Sequence, residues 1–343
     1  MLSADLAPPA LARPARDVTE RLAGEIDANL APLLPALAAE PFALLDFPNH
    51  GNVGDSAIWL GELSWLQRRA GRGPALTCHV EERPDRLPPG PILLHGGGNF
   101  GDVWPQFQAF REEVLDRHRG HPVVQMPQSI HYADPSAIDR TARAIERHGA
   151  FTLLVRDRPS LELARRHFPC EVRLCPDMAF ALGPLPRPAP PSHEGLMLLR
   201  TDKEGVGQPV PALPEGWRVE DWLEDDPDMY RTVLARTRRA ALLSLDPRRL
   251  TRRARSLHMA NQLAEWRLRR GVAQLSRARF VITDRLHVHI VATLLGLPHV
   301  FLDNSYGKIG RFSEAFGTLW DGASRADTLG EAMERARAHR DAA

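Results

Sequence analysis

The sequence predicts an α/β protein of two domains, each an open parallel sheet covered by helices. Three observations predict it. Short apolar runs of about five residues recur, each followed by a glycine-rich or polar turn and then a segment with helical spacing, the signature of βαβ units. Pro184, Pro186, Pro188, Pro190 and Pro191 favour an extended, semi-rigid connector. The chain has 343 residues, 43% hydrophobic and 25% charged, long enough for two cores at roughly 150 residues per domain. Two domains invite a ligand cleft between them.

Residues 1–40 are expected to form a helical lead-in. Leu22, Ile26, Leu30, Leu33 and Leu34 fall at helical spacings, with Pro32 and Pro35 ending or kinking the helix. The first domain, 41–183, opens with the apolar run Phe42 to Phe47, then Gly51, Gly54 and the periodic segment Ala57 to Arg69. Next come a strand at Pro91 to His95, the glycines Gly96, Gly97 and Gly98, and a helix through Phe107, Phe110, Val114 and Leu115. A third strand, Pro122 to Met126, turns at Pro127 toward a helix around Ile138 to His148. Phe151 to Val155 precedes the helix Leu161 to His167.

The linker is placed at 184–194. The second domain, 195–320, restarts with the strand Gly195 to Arg200. It continues with the strand Phe280 to Thr283, the helix Val288 to Leu295, the strand Pro298 to Leu302 and a loop from Asp303 to Gly310. A C-terminal helix is expected over 321–343. The result is two Rossmann-like halves, with no fixed-period repeat that would suggest a solenoid.

Lys+Arg total 44 against Asp+Glu 43, a formal charge of +1, which argues against nucleic acid as a partner. Cys78, Cys170 and Cys175 form no Cys-x-x-Cys pair, so neither a disulfide framework nor a zinc knuckle is expected. Met1 to Arg16 carries Asp5 and lacks the continuous apolar core of a secretory signal, so a cytoplasmic protein is expected. No run of about 18 uncharged apolar residues occurs, which leaves only peripheral contact with a membrane. The arginine-rich run Arg231 to Arg270 follows an acidic stretch, Glu215 to Asp228. It reads as paired, solvated helices or, through Arg248, Arg249, Arg252, Arg253 and Arg255, as a basic surface for lipid headgroups or a pyrophosphate-linked acceptor, with nucleic acid as the third alternative.

Ligands of open α/β sheets sit beyond the carboxyl ends of strands, so the polar residues there are the candidates. Asn49, His50, Asn52, Asp55 and Ser56 follow the first strand. His95, Asn99 and Asp102 follow the second, and Gln125, Gln128, Ser129 and His131 follow the third. Later strands add Arg156, Asp177, Arg200, Arg285 and His287. The three glycines at 96–98 fit a close backbone approach to an anion at a helix N-terminus, or simply a tight turn. They match neither a dinucleotide fingerprint nor a Walker A loop. Arg285 and His287, at a strand-to-helix junction, pair an anion-binding guanidinium with an imidazole able to move a proton near neutral pH. His289 reads equally as a helix-face residue. For Arg156 the alternative is a surface ion pair with Asp157 or Glu162.

These residues together resemble the polysaccharide pyruvyl transferases of exopolysaccharide biosynthesis. The matching segments are Asn49 to Ser56, Leu93 to Asp102, Gln125 to Ile130, Val155 to Asp157, Cys175 to Asp177, and Ile282 to His287 with Leu302 to Lys308. The resemblance implies a fold like that of GT-B glycosyltransferases, with the active site in the inter-domain cleft. It implies phosphoenolpyruvate as donor, a sugar hydroxyl pair of an exopolysaccharide or its lipid-linked precursor as acceptor, and a cyclic pyruvate ketal as product. In that family the Arg-x-His motif supplies a donor-binding arginine and a proton-transferring histidine, here Arg285 and His287. A second donor arginine maps to Arg156.

The chemistry agrees with the residue types. Phosphoenolpyruvate carries a carboxylate and a phosphate, and arginine forks match both. His287 is expected to handle proton transfer, with Arg285, Arg156 and Lys308 on the donor. Asp55, Asn99 and His131 are the candidates for the acceptor sugar or, alternatively, loop-stabilising hydrogen-bond partners. No cluster has metal-ligand spacing, so metal-independent chemistry without a further cofactor is expected. Peripheral contact with the membrane or with polysaccharide assembly machinery fits such a pathway. The competing readings are a nucleotide-sugar-dependent glycosyltransferase and a non-catalytic sugar-binding scaffold.

Overall fold

The computed structural model describes residues 13–82, 84, 86–200, 208–223, 225–243, 252–303 and 307–342. It divides into an N-terminal unit, Gly24–Ala181 with Asp225–Arg267, and a C-terminal unit, Met1–Ala23, Leu182–Glu224 and Leu268–Ala343.

Helix α1 (Arg13–Leu30) gives way to a 3-10 turn, Ala31–Leu33, and then to α2 (Leu34–Ala39). Pro32 and Pro35 each occupy the first turn of a new segment, where the missing N–H leaves no hydrogen bond unmade. Leu22, Ile26 and Leu30 are fully buried, as their spacing requires.

The N-terminal unit then runs β1 (Ala43–Leu45), α3 (Val53–Arg69), β2 (Ile92–Leu94), β3 (Gly97–Gly101), α4 (Pro105–Arg117) and β4 (Val123–His131). It continues with α5 (Pro135–His148), β5 (Phe151–Val155), α6 (Arg158–His167) and β6 (Glu171–Leu174). The sheet is parallel in the order β1-β2-β4-β5-β6, with β3 on β4 and a parallel bridge from Ala43 to Leu76 outside β1. Counting the Leu76 segment as second strand, this is the flavodoxin-like order, whose switch point lies between β1 and β2.

Two features differ from expectation. The glycine segment does not lead directly into a helix N-terminus. It forms β3, which takes over from β2 along β4, and the following helix starts only at Pro105. Glycine is required there: Gly97 and Gly101 have φ of 130° and 115°, and a Cβ on Gly101 would lie 1.8 Å from the His131 carbonyl oxygen. Nor does Pro127 end its strand. The β4 register shifts between Gln125 and Gln128, so Pro127 sits in an irregularity where no ladder N–H is needed.

The C-terminal unit holds β7 (His193–Leu198) and β8 (Trp217–Glu220). After α7 (Pro227–Leu243) and α8 (Arg252–Ser276) come β9 (Ala278–Thr283), α9 (Leu286–Leu294) and β10 (His299–Leu302). The chain closes with α10 (Lys308–Phe316), β11 (Ala323–Ala326) and α11 (Leu329–Ala342). Its sheet is parallel in the order β11-β10-β9-β7-β8, again the flavodoxin-like order, with the switch point between β7 and β9. The C-terminal helix is shorter than expected because β11 takes the first part of that segment to extend the sheet.

The proline-rich stretch is irregular and lies along the C-terminal unit. The Leu185 N–H donates to the Leu294 carbonyl (2.8 Å), and the Arg187 guanidinium to those of Ser276 (2.7 Å) and Ala278 (2.6 Å). Asp225–Arg267, which includes α7, packs with the N-terminal unit. Trp59 Nε1 donates to Asn261 Oδ1 at 3.2 Å, and buried Arg267 reaches both Asp225 (2.6 Å) and the Pro48 carbonyl (3.2 Å). In the arginine-rich run, Arg231 pairs with Asp228 at the surface (3.3 Å), whereas Arg248 and Arg249 lie outside the described residues. Among the described residues no helix is long and apolar enough to cross a membrane.

Candidate active site

At the switch point of the C-terminal sheet, β9 hands over to α9. The Thr283 hydroxyl donates to the Leu198 carbonyl (2.7 Å) and accepts the Arg285 N–H (3.0 Å), locking the ends of β7 and β9 together. The Asp284 carboxylate accepts the Arg200 N–H at 2.8 Å across the same gap. Arg285 is the N-cap residue of α9 and gives it no side-chain cap. Its buried guanidinium pairs with Asp221, at 2.6 Å to Oδ1 and 2.8 Å to Oδ2. His287 stands in the first turn of α9, half-buried. Lys308 opens α10 behind Gly307 (φ 64°), and the Asp303 carboxylate accepts the N–H groups of Ile309 and Gly310, each at 3.1 Å. Asn304, Ser305 and Tyr306 of the matched segment lie outside the described residues.

His289 is a buried structural residue. His299 Nδ1 lies 2.8 Å from the Leu297 carbonyl and must donate to it, so His299 Nε2 accepts from His289 Nδ1 at 2.7 Å. His289 Nε2 then accepts the Thr318 hydroxyl at 2.8 Å. Both imidazoles are neutral. Burial holds His289 well below the usual histidine range, with the neighbouring His299 adding to the effect, and pulls His299 down to about 4.

In the N-terminal unit Arg156 follows β5. Its surface alternative fails: the side chain is buried and pairs with Asp177, while Asp157 instead caps α6 by accepting the Ser160 N–H at 2.9 Å. The Arg156 Nε donates to Ser129 Oγ (3.0 Å), and Asp177 also accepts the Ala179 N–H (2.9 Å). A Cβ at Gly98 would meet Arg156 Nη2 at 3.0 Å, so the glycine segment makes room for this cation.

The acceptor candidates are placed on this unit's strand and helix ends. Asp55, in the first turn of α3, accepts from Asn52 Nδ2 (2.8 Å), lies 3.6 Å from His50 Nε2 and is half-buried. Asn99 is a hub: its Oδ1 accepts from Arg111 (3.0 Å) and Gln128 (2.9 Å). His131, at the end of β4, is exposed, and its carbonyl accepts the Asp102 N–H at 3.2 Å.

Sequence reasoning singled out His95, Asn99, Gln125 and Gln128 but missed Arg111, Glu62 and Asp46 of the same buried network. The Arg111 side chain donates to Gln125 (2.6 Å) and Gln108 (2.9 Å), and its guanidinium stacks 4.6 Å from the Phe100 ring centroid. Glu62 accepts from His95 Nδ1 (2.8 Å) and from the Gly96 N–H (2.9 Å). Burial alone would depress the His95 imidazole, but Glu62, Asp46 and Asp55 outweigh it and raise it. Asp46, right after β1, holds φ at 69°, a region costly for a residue with a Cβ. Burial pushes its carboxyl up to about 6 against the pull of Arg111, His95 and Asn99. Asp46 Oδ1 and His95 Nε2 are buried with no hydrogen-bond partner among the described residues. The available signal was a set of polar residues breaking otherwise apolar faces: Asp46 within its apolar run, Glu62 beside Ile58 and Trp65, Arg111 beside Phe110 and Val114. Among the described residues no group of three or more His, Cys, Asp or Glu side chains is placed to hold a metal ion.

The family model of polysaccharide pyruvyl transferase matches residues 52–306. The chain belongs to the polysaccharide pyruvyl transferase family. Pyruvyl transferase 1 of Schizosaccharomyces pombe (strain 972 / ATCC 24843) is 32% identical over 309 residues, covering 82% of this chain and 71% of that protein. EpsO of Bacillus subtilis (strain 168) is 31% identical over 278 residues, 77% of this chain and 81% of its own. A crystal structure of an uncharacterized protein from Klebsiella pneumoniae subsp. pneumoniae NTUH-K2044 shares the fold. Its TM-score is 0.59 at 19% identity, over 88% of this chain and 99% of that one. Membership in this pyruvyl transferase family makes the chain a transferase enzyme and removes the scaffold reading.

Proposed function

We propose that this enzyme transfers pyruvate from phosphoenolpyruvate to two hydroxyls of one sugar, in a polysaccharide or its lipid-linked precursor, forming a cyclic ketal. The observation that carries the proposal is Arg285 at a topological switch point with His287 two residues on, in a chain of this family. Arg285 and Arg156 neutralise the donor's carboxylate and phosphate, and Lys308 adds a third charge. His287 delivers a proton to the methylene carbon, and the carbon bearing the phosphate becomes the electrophile. One hydroxyl adds there, and the second displaces the phosphate. Of the two hydroxyl protons, one ends on the new methyl group and the other on the departing phosphate, so charge and atoms balance.

Asp55, Asn99 and His131 orient the sugar. Asn99 has its oxygen engaged by Arg111 and Gln128, so it contributes through its amide N–H. The reaction proceeds without a metal ion and survives excess chelator. Work at the cytoplasmic membrane face suits a lipid-linked acceptor.

Thermal unfolding with phosphoenolpyruvate titrated in, beside UDP- and GDP-sugars, tests the donor. A rise in melting temperature with phosphoenolpyruvate that vanishes in Arg285→Ala is expected. A rise with a nucleotide-sugar alone turns the reading to glycosyl transfer. Near-wild-type phosphate release by His287→Ala removes that residue from proton transfer.

A further inference from the structure

Asp221, the partner of Arg285, is the residue immediately after β8 and stands at the rim of a cavity of about 740 Å³. Trp222, Leu223, Arg270, Gln274 and Arg277 line the same cavity. The Arg270 guanidinium donates to the Trp222 carbonyl (2.8 Å), and Gln274 and Arg277 converge on Glu220 Oε2 at 2.7 and 2.8 Å. Buried Trp222 Nε1 has no hydrogen-bond partner among the described residues. Two guanidiniums, Arg270 and Arg277, thus line the cavity together with Asp221, which brings its ion pair with Arg285 to the edge of a space large enough for a small-molecule ligand. Asp221 is 22% exposed, whereas its guanidinium partner is 4% exposed. It is therefore the carboxylate of the pair that has room to move.

We infer that this cavity is the phosphate subsite of the donor and that Asp221 is its gate. The inference rests on the donor reading above. An incoming phosphate dianion replaces the Asp221 carboxylate on Arg285, the displaced carboxylate turns toward solvent, and Arg270 and Arg277, which line the cavity, add their charge to the phosphate. Asp221 then sets specificity: a lone carboxylate such as pyruvate offers Arg285 nothing better than the partner it already has, and only a doubly charged anion displaces it.

Calorimetric titration with phosphoenolpyruvate, inorganic phosphate and pyruvate tests this. The variants are Asp221→Asn and Arg277→Gln, the latter at a partly exposed position, 45% for its side chain, whose loss the fold tolerates. In Asp221→Asn the affinity for phosphoenolpyruvate and phosphate is expected to rise about five- to tenfold and pyruvate to begin to bind. In Arg277→Gln phosphate and phosphoenolpyruvate are expected to weaken by a similar factor. Asp221→Asn binding phosphoenolpyruvate as poorly as Arg285→Ala overturns the gate, because Asp221 then only positions the arginine. Unchanged phosphate affinity in Arg277→Gln overturns the subsite. Wild-type protein that binds no phosphoenolpyruvate overturns the donor reading itself, and the gate with it.

Discussion

Each unit places an arginine at the carboxyl end of a strand and answers it with one aspartate, yet the two pairs differ in kind. Arg156 and Asp177 are both sealed, with side chains 3% and 1% exposed, and Ser129 and Ala179 hold the two ends in place. Arg285 and Asp221 are 4% and 22% exposed, and the aspartate borders a cavity. A carboxylate with no route to water stays with its guanidinium, because leaving strands two ions in low dielectric. One that reaches solvent can be exchanged. The first pair therefore fixes a charge in the sheet, and the second, on the donor reading proposed above, holds a charge in reserve for a ligand.

Removing each aspartate's charge is the sharpest way to break this contrast. Asp177→Asn leaves a buried guanidinium uncompensated and is expected to cost about 3–5 kcal/mol of stability. Asp221→Asn also uncovers a buried guanidinium, but the 22% exposure of the aspartate lets water take its place, so the expected cost is smaller, about 1–3 kcal/mol. Urea unfolding of the two variants measures the difference, and equal losses would mean that the pairs are alike.

Acid separates the units in the opposite direction. His299 falls to about 4 in the folded C-terminal unit against an unfolded value of about 6.5. Between those values the unfolded chain takes up a proton that the folded unit refuses. Stability there is present above about pH 6.5 and is lost as pH falls, by up to about 3 kcal/mol. Asp46 is pushed up to about 6 in the N-terminal unit, above an unfolded value of about 3.9. Its contribution is present below about pH 4 and is lost as pH rises through about 6. Hydrogen exchange at α9 and at β1, corrected for intrinsic rates between pH 4.5 and 7, is expected to show slopes of opposite sign. Parallel slopes would mean that neither buried group governs its unit.

The contrast also shows what a sequence makes legible. Strand ends, helix periodicity and the Arg-x-His junction are local, so β5, α9 and their polar termini follow from spacing alone. Arg285 and Asp221 are separated by 64 positions, and Arg111 reaches Asn99 and Gln125 from a helix face that reads as apolar. Such partnerships are made by the sheet order and leave no periodic trace. The β3 strand was hidden for a related reason. Glycines carry no pattern, and only the approach to the His131 carbonyl explains them. Asn304 to Tyr306, which the resemblance places beside Lys308, lie outside the described residues.

The smallest expected effect concerns two helix N-termini. At α3 the Asn52 side chain accepts the Gly54 N–H at 3.0 Å and Asp55 adds an acid in the first turn, so that terminus is already satisfied. At α9 the N-cap is Arg285, with no side-chain cap and no acid in the first turn. Asn52→Ala is therefore expected to lower stability by about 1 kcal/mol and to leave phosphoenolpyruvate affinity unchanged. Arg285→Ala removes no cap, so whatever stability it costs comes from the lost ion pair with Asp221, and its effect on binding is expected to fall on the donor. Denaturation and titration of the two variants separate the helix that closes its own N-terminus from the one whose N-terminus has no side-chain cap. A loss of donor affinity in Asn52→Ala would move part of the donor site into the N-terminal unit's first loop.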